Sequence, residues 1–383
     1  MRARRNHRGA PLAGGVRRQP SAQLAAVSAT IVETTRPCCY VRLIHWDHRF
    51  ASVPGPSMRT ADFLSVVQDA WNEFAPDRPI LRVQDVSVHV STNHVYRIDL
   101  TSGDHLFAKI SYFGTYRHFR EDHTIIHALG DALPDPYRDF LARSYTAGDS
   151  VYTFRHGGLG EDVWVVFYRP VAVGDRLPRK LESHHVDNLG RELARFHRAC
   201  SLATPKLPGF SKTTRYDIDD LLVQLDSDQG RYEYGQHIDL IRSHCELYLL
   251  GLDRDGYDEL PATPVFVDWN IGNFSVSADG SFYSRWDYDW FRVSCRVLDF
   301  YFFSRVVSTG GDQTVFSYII DPFLEDRFVQ FLRAYHEEFP LTEAEVRYLP
   351  EAYRFFILNY VVKYGQHFFH SIYGSRLQRE AYA

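Results

Sequence analysis

The chain has 383 residues, more than the roughly 250–300 at which a single hydrophobic core stops growing, so two packed lobes are expected. With 45% hydrophobic, 15% aromatic and 24% charged residues, it lies in the globular class and outside the disordered, collagen-like and disulfide-scaffold classes. A net charge of -5 speaks against a general nucleic-acid or anionic-membrane binder, which needs a net positive face, and no apolar run is long enough to span a membrane.

Residues 1–57 differ from the remainder, with nine Arg, no Lys, and Glu33 and Asp47 as the only acids. This composition fits a disordered leader or an over-extended start, because Met58 immediately precedes the first helical pattern. Without this segment the chain holds 34 basic and 46 acidic residues, a net -12, so the folded body is acidic. Lysine occurs only as Lys109, Lys180, Lys206, Lys212 and Lys363, against 38 Arg, which makes each lysine informative. The five cysteines show no CxxC spacing, so a reducing cytoplasm is expected rather than a disulfide framework or zinc site.

From residue 60 the elements follow in order. Phe63, Val66, Val67, Ala70 and Trp71 fall at helical spacing behind Thr60 as a candidate cap, and Pro76 ends that helix. Alternating stretches at 86–90, 95–100 and 105–110, with a turn at 101–104, predict a β-meander. Residues 119–129 predict a helix, and 151–154 and 163–168 two further strands, the second running into Arg169 and Pro170. Beyond residue 183 the pattern turns helical at 184–200, 218–225, 238–249, 323–339 and 342–369, interrupted by a strand-loop-strand unit at 265–288. Strands first and helices afterwards predict an α+β protein of two lobes with a cleft between them, divided as 58–170 and 171–383.

The unit at 265–288 carries the chemistry. Asp268 is followed five residues later by Asn273, and a short hairpin then returns to Asp287 and Asp289. In phosphoryl transfer one Asp orients and deprotonates the attacking hydroxyl, while an Asn and a second Asp offer hard oxygen ligands to Mg²⁺. That division makes Asp268 the base and Asn273 and Asp287 the metal ligands, with Asp289 either a further ligand or a brace for the loop.

These residues resemble the pattern of the aminoglycoside phosphotransferase and choline kinase family, relatives of the protein kinases. The family's His-x-Asp-x-x-x-x-Asn, hairpin Asp and later Asp read here as Phe266-Val267-Asp268 to Asn273, then Asp287, then Val297-Leu298-Asp299-Phe300. Upstream, Leu189-Gly190-Arg191-Glu192-Leu193-Ala194-Arg195-Phe196-His197 is similar to the family's Leu-Gly-x-x-Leu-Ala-x-x-His helix, and residues 165–170 to its hinge strand. The resemblance covers about residues 86–305. It implies a two-lobed protein-kinase-like fold with a small antiparallel-sheet amino-terminal lobe and a larger, mainly helical catalytic lobe. It also implies that Lys109 on the third strand binds nucleotide phosphates, held by Glu121 or Asp122. Ser91 or Thr92 would contact phosphate in the turn where protein kinases have a glycine-rich loop, Tyr168 and Arg169 would line the hinge, and Asp299 would accept backbone N–H bonds beneath the catalytic loop. Phe266 stands where the family has a bracing His, and a Phe braces only by packing.

The expectation is a cytoplasmic, ATP- and Mg²⁺-dependent kinase of a small-molecule hydroxyl, of aminoglycoside, amino alcohol, sugar or amino acid type, with no nucleic-acid or membrane partner. Acceptor identity and oligomeric state are left open by the sequence. Two rival readings are a nucleotide-binding scaffold without turnover, motivated by Phe266, and a glycosyltransferase in which Asp287-Tyr288-Asp289 holds Mn²⁺ and a sugar nucleotide. The latter leaves Lys109 and the spacing of Asp268 and Asn273 unexplained.

Overall fold

The computed structural model describes residues 60–87, 94–157, 162–311 and 317–383. Helix α1 (Thr60–Phe74) precedes strands β1 (Ile80–Asp85), β2 (His94–Leu100) and β3 (His105–Ser111) and helix α2 (Tyr116–Ala132). Two short strands, β4 (Thr146–Ala147) and β5 (Ser150–Val151), lead to β6 (Thr153–Gly157) and β7 (Asp162–Tyr168). One antiparallel sheet results, in the order β1-β2-β3-β7-β6. Period-2 alternation divides β7 between two cores: Val163, Val165 and Phe167 pack with α1, while Trp164, Val166 and Tyr168 pack with α2 and the helical lobe. Thr115 caps α2 by accepting from the His118 N–H, which starts that helix earlier than its apolar periodicity indicates.

The first described strand lies at Ile80–Asp85, ahead of the stretch expected at 86–90, of which Val86 and Ser87 are not in a strand. Ile80 and Val83 settle against the α1 core, and the Asp85 carboxylate accepts from the N–H and hydroxyl of Ser87, a local turn that ends the strand. Residues 88–93, and with them Ser91 and Thr92, lie outside the described residues.

The second lobe is built on α3 (Ser183–Ala203), followed by α4 (Thr214–Asp226), α5 (Asp228–Tyr234) and α6 (Ile238–Asp255). Two β-ribbons carry the loops of interest: β8 (Ala262–Val265) pairs with β11 (Arg292–Cys295), and β9 (Phe274–Val276) with β10 (Phe282–Arg285). Helices α7 (Phe300–Val307), α8 (Asp326–Glu338), α9 (Glu343–Phe356), α10 (Gly365–Phe368) and α11 (Ser371–Ala381) complete the chain. Gly190 lets α3 lie against α8, since a Cβ there would stand 2.5 Å from the Phe331 carbonyl oxygen.

The single helix expected at 342–369 is broken. After α9 the backbone makes a π-helical turn, Ile357–Lys363, before α10. Lys363 is thereby buried against α4, with its ammonium 2.8 Å from Asp220 and donating to the Asp217 carbonyl at 2.9 Å. Among the described residues, no helix is long and apolar enough to cross a membrane.

Candidate active site

The loop after β8 is held in a conformation its own residues disfavour. Val267 has φ of 60°, a strained value for a β-branched residue, and the Asp268 N–H closes a three-residue turn on the Phe266 carbonyl at 2.6 Å. Strain of this kind persists only where surroundings over-determine it. Here Asp299 does so, as its carboxylate accepts from the Phe266 and Val267 N–H groups at 3.0 and 2.6 Å. Its other oxygen accepts from His197 Nε2 at 2.8 Å, and His197 Nδ1 accepts from the Tyr335 hydroxyl at 2.8 Å. Burial holds the His197 imidazole below its usual pKa against the pull of Asp299, consistent with the neutral ring that this bonding requires. The expected role of Asp299 beneath the loop is therefore observed directly, and the His of the α3 motif is its support.

Phe266 braces the loop together with a residue that sequence reasoning passed over. Arg285, at the end of β10, is wholly buried between the Phe266 and Trp269 rings and donates from Nη2 to the Asp268 carbonyl at 2.8 Å. Among the described residues its Nε and Nη1 have no hydrogen-bond partner, and burial draws its pKa down against the opposing charges of Asp268 and Asp299. The aromatic faces thus replace hydrogen bonds as the surroundings of this cation.

Asp268 is half-buried, and its carboxylate accepts from the Asn270 N–H at 3.1 Å. Burial, reinforced by the charge of Asp287, pushes its pKa up to about 7 against the Asn270 N–H and Arg285. Asn273 is tied to the same segment, its side-chain amide 3.5 Å from the Asp268 carbonyl, and the hairpin brings the Trp286 N–H to the Asn273 carbonyl at 3.0 Å.

Asp287, with φ of 69°, and Asp289 both reach across the cleft to Lys109 on β3, at 2.6 and 2.7 Å. Burial alone would lower the Lys109 ammonium, but the two carboxylates outweigh it and hold the pKa above its ordinary value. Asp287 is held below the usual carboxylate range, because Lys109 overcomes the burial that opposes its charge. Asp287 and Asp289 therefore already embrace a cation, and with the Asn273 amide they offer the hard oxygen donors that suit Mg²⁺. This donor chemistry fits the expected metal.

Glu121 is not the partner of Lys109. Its carboxylate accepts from the Ser211 hydroxyl at 2.7 Å and from the Ser211 and Lys212 N–H groups, donors that draw its pKa down against burial. Asp122 pairs with Lys212, whose ammonium also donates to the Phe291 carbonyl at 2.6 Å; burial pushes the Asp122 pKa up to about 6. The α2 carboxylates face the segment before α4, while the Lys109 ammonium is already matched by two aspartates.

Solved structures adopt the same architecture. An amicoumacin kinase in complex with AMP-PNP, Ca²⁺ and Ami aligns over 85% of this chain and 95% of its own, with a TM-score of 0.54 at 14% identity. A microcompartment-associated aminopropanol kinase aligns over 83% and 94%, with a TM-score of 0.56 at 15% identity, and a type I macrolide 2'-phosphotransferase over 85% and 98%, with a TM-score of 0.52 at 12% identity. This chain has the fold of the small-molecule phosphotransferases. No protein-family model and no curated protein sequence matches it.

Of the two residues expected at the hinge, Tyr168 is buried and Arg169 is exposed. The Tyr168 hydroxyl donates to His123 Nε2 at 2.6 Å, and His123 Nδ1 donates to the Phe119 carbonyl. The Arg169 N–H donates to the Arg143 carbonyl at 2.9 Å, and its guanidinium lies over the Tyr145 ring. Three of the five lysines, Lys109, Lys212 and Lys363, converge on the cleft and its helical wall, so lysine scarcity was a signal for Lys212 and Lys363 as well. Nothing in the linear sequence marked Arg285.

Proposed function

We propose that the protein is an ATP-dependent phosphotransferase that moves the γ-phosphoryl group to a hydroxyl of a small molecule. The observation that carries this reading is the single cluster formed by Lys109, Asp287 and Asp289 across the cleft, beside the tied loop of Asp268 and Asn273. Nucleotide phosphates would compete for Lys109, and Asn273 and Asp287, with Asp289, would hold Mg²⁺. When bound, the metal supplies neutralisation of charge on the phosphate oxygens. Asp268 orients the acceptor hydroxyl and takes its proton at a carboxylate oxygen, and a pKa near neutrality lets it accept and later release that proton. Arg285 and Asp299 fix the backbone on which Asp268 stands, so the site works by positioning and by pre-arranged charge.

The test is substitution of the base. Asp268→Ala should abolish turnover while Mg·ATP binding is kept, measured by ADP release and by calorimetry; full turnover in the variant sinks the assignment. Asp287→Ala should instead weaken Mg·ATP binding.

A further inference from the structure

Lys212 stands where three parts of the molecule meet. Its backbone belongs to the segment that leads into α4, its ammonium pairs with Asp122 on α2, and the same ammonium donates to the Phe291 carbonyl at 2.6 Å. The lysine and aspartate side chains are only 14% and 13% exposed, so the pair is largely withdrawn from the solvent that weakens surface ion pairs. Glu121, one residue earlier on α2, fixes the backbone from which Lys212 reaches. It accepts from the Ser211 hydroxyl at 2.7 Å and from the Ser211 and Lys212 N–H groups. Both α2 carboxylates therefore grip two consecutive residues of one segment, and neither turns to Lys109.

The Phe291 carbonyl is the far end of the loop that carries Asp287 and Asp289. The Phe291 N–H closes a β-turn on the Tyr288 carbonyl at 3.0 Å, and Asp289 and Trp290 are the two central residues of that turn. The loop opens on Asp287 at φ of 69°, a strained value that persists only where the surroundings fix it. At its start the Tyr288 hydroxyl donates to the Arg285 carbonyl at 2.9 Å. Beyond its end Arg292 enters β11, donating to Asp217 at 2.6 Å and to the Tyr360 hydroxyl at 3.0 Å. Asp122 is enough to balance the charge of Lys212. The second bond, from a charged donor to the main chain two residues after Asp289, adds a strong constraint on where the turn sits. Lysine suits this place, since its ammonium directs three donors around one nitrogen and can meet a carboxylate and a carbonyl from different sides.

We propose that Lys212 is a positioning residue for metal binding: it ties the turn that carries Asp289 to α2, so that α2 governs the placement of the metal carboxylates through Lys212 and not through a contact with Lys109. The inference rests on the phosphotransferase reading, in which Asp287 and Asp289 hold Mg²⁺ beside the nucleotide. Lys212 acts through the turn. Without it Lys109 still faces both aspartates, but the turn is released at one end and Asp289 gains freedom relative to Asp287. Coordination of Mg²⁺ demands near-ideal octahedral geometry and tolerates little of that freedom, whereas contacts to the nucleotide that do not run through the metal are spared.

The experiment is calorimetry of the full chain with ATP, in Mg²⁺ and in EDTA. Lys212→Met should weaken binding of Mg·ATP about tenfold, the size of one lost hydrogen bond from a charged donor, while binding of metal-free ATP moves by less than about twofold. Lys212→Arg, which keeps the charge, should recover most of the loss. Asp289→Asn removes the carboxylate that Lys212 places, so in that background Lys212→Met should add less than about twofold. If Lys212→Met fails to fold, Asp122→Asn serves: it keeps the shape, unties the lysine from α2 and should weaken Mg·ATP binding about threefold. Parental Mg·ATP binding in the Met variant, an equal loss with and without Mg²⁺, a full loss repeated in the Asp289→Asn background, or an unaltered Asp122→Asn variant each overturns the proposal. Failure of the phosphotransferase reading looks different: the parent binds Mg·ATP and releases no ADP with any hydroxyl acceptor, while the binding comparison still decides the role of Lys212. A parent that does not bind Mg·ATP overturns both.

Discussion

The Arg285 guanidinium carbon lies 4.6 Å from the ring centroid of Phe266, in a slot closed on its other side by Trp269 at 4.2 Å. A histidine at 266 would brace the loop by its own hydrogen bonds. Phe266 does it by seating a cation, and the cation makes the hydrogen bond to the Asp268 carbonyl. The substitution in the family pattern is therefore compensated within the same few ångströms, which weakens the motive for reading the protein as a scaffold without turnover.

Phe266→Ala should lower stability by about 3–5 kcal/mol, because it empties a fully buried aromatic site and removes one face of the slot. The accompanying fall in kcat should exceed any change in KM for ATP. Chemical denaturation and steady-state kinetics on one preparation check both, and an unaltered kcat would reduce Phe266 to packing alone.

Arg285→Met separates the two roles. A buried cation with one hydrogen bond is exchanged for an apolar chain of similar length, so stability should hold or rise. Turnover should nevertheless drop about tenfold, the size of one lost hydrogen bond to the Asp268 segment. A thermal melt and a kcat measurement decide it; parallel loss of both would mean that Arg285 chiefly supports the fold.

Lys109→Ala leaves Asp287 and Asp289 side by side without their cation. The variant should lose about 3–5 kcal/mol of stability and recover part of it on addition of millimolar Mg²⁺, as the ion takes the ammonium's place. Melting curves with and without Mg²⁺ read this directly, and a variant indifferent to Mg²⁺ would argue against metal binding by these carboxylates.

His123 gives a pH signature. Burial lowers its pKa to about 4 from the ordinary 6.5, so between those values the unfolded chain binds the proton that the folded chain refuses. Stability conferred by the neutral ring is complete above about 6.5 and is lost as pH falls toward 4, on the order of 3 kcal/mol in all. His123→Gln keeps a donor and an acceptor without titrating, so its melting temperature should fall less than the parent's between pH 7 and pH 4.5. Equal slopes would show that His123 is not the titrating group.

Much of the architecture was legible locally. Alternation marked β2, β3 and β7, and a 3.6-residue period marked α1 and α3, because each of these elements buries one regular face. Position 80–85 was missed because the strand's apolar residues are few and its exact placement depends on pairing with β2. The helix across 342–369 was read as continuous because its aromatics keep a helical rhythm through the π-helical turn, and nothing local records that Lys363 must reach α4.

For the site, the sequence by itself determined the inventory: an Asp, an Asn and two further aspartates at fixed spacing, a lone lysine on the third strand, and an acid behind the loop. These were readable because short-range spacing survives folding. Pairing was decided only by tertiary structure. Lys109 lies 178 residues from Asp287, Glu121 turned to Ser211, and Arg285 found its aromatic slot. Charges choose partners by distance and burial in the folded chain, and a sequence specifies neither until its helices and strands have packed.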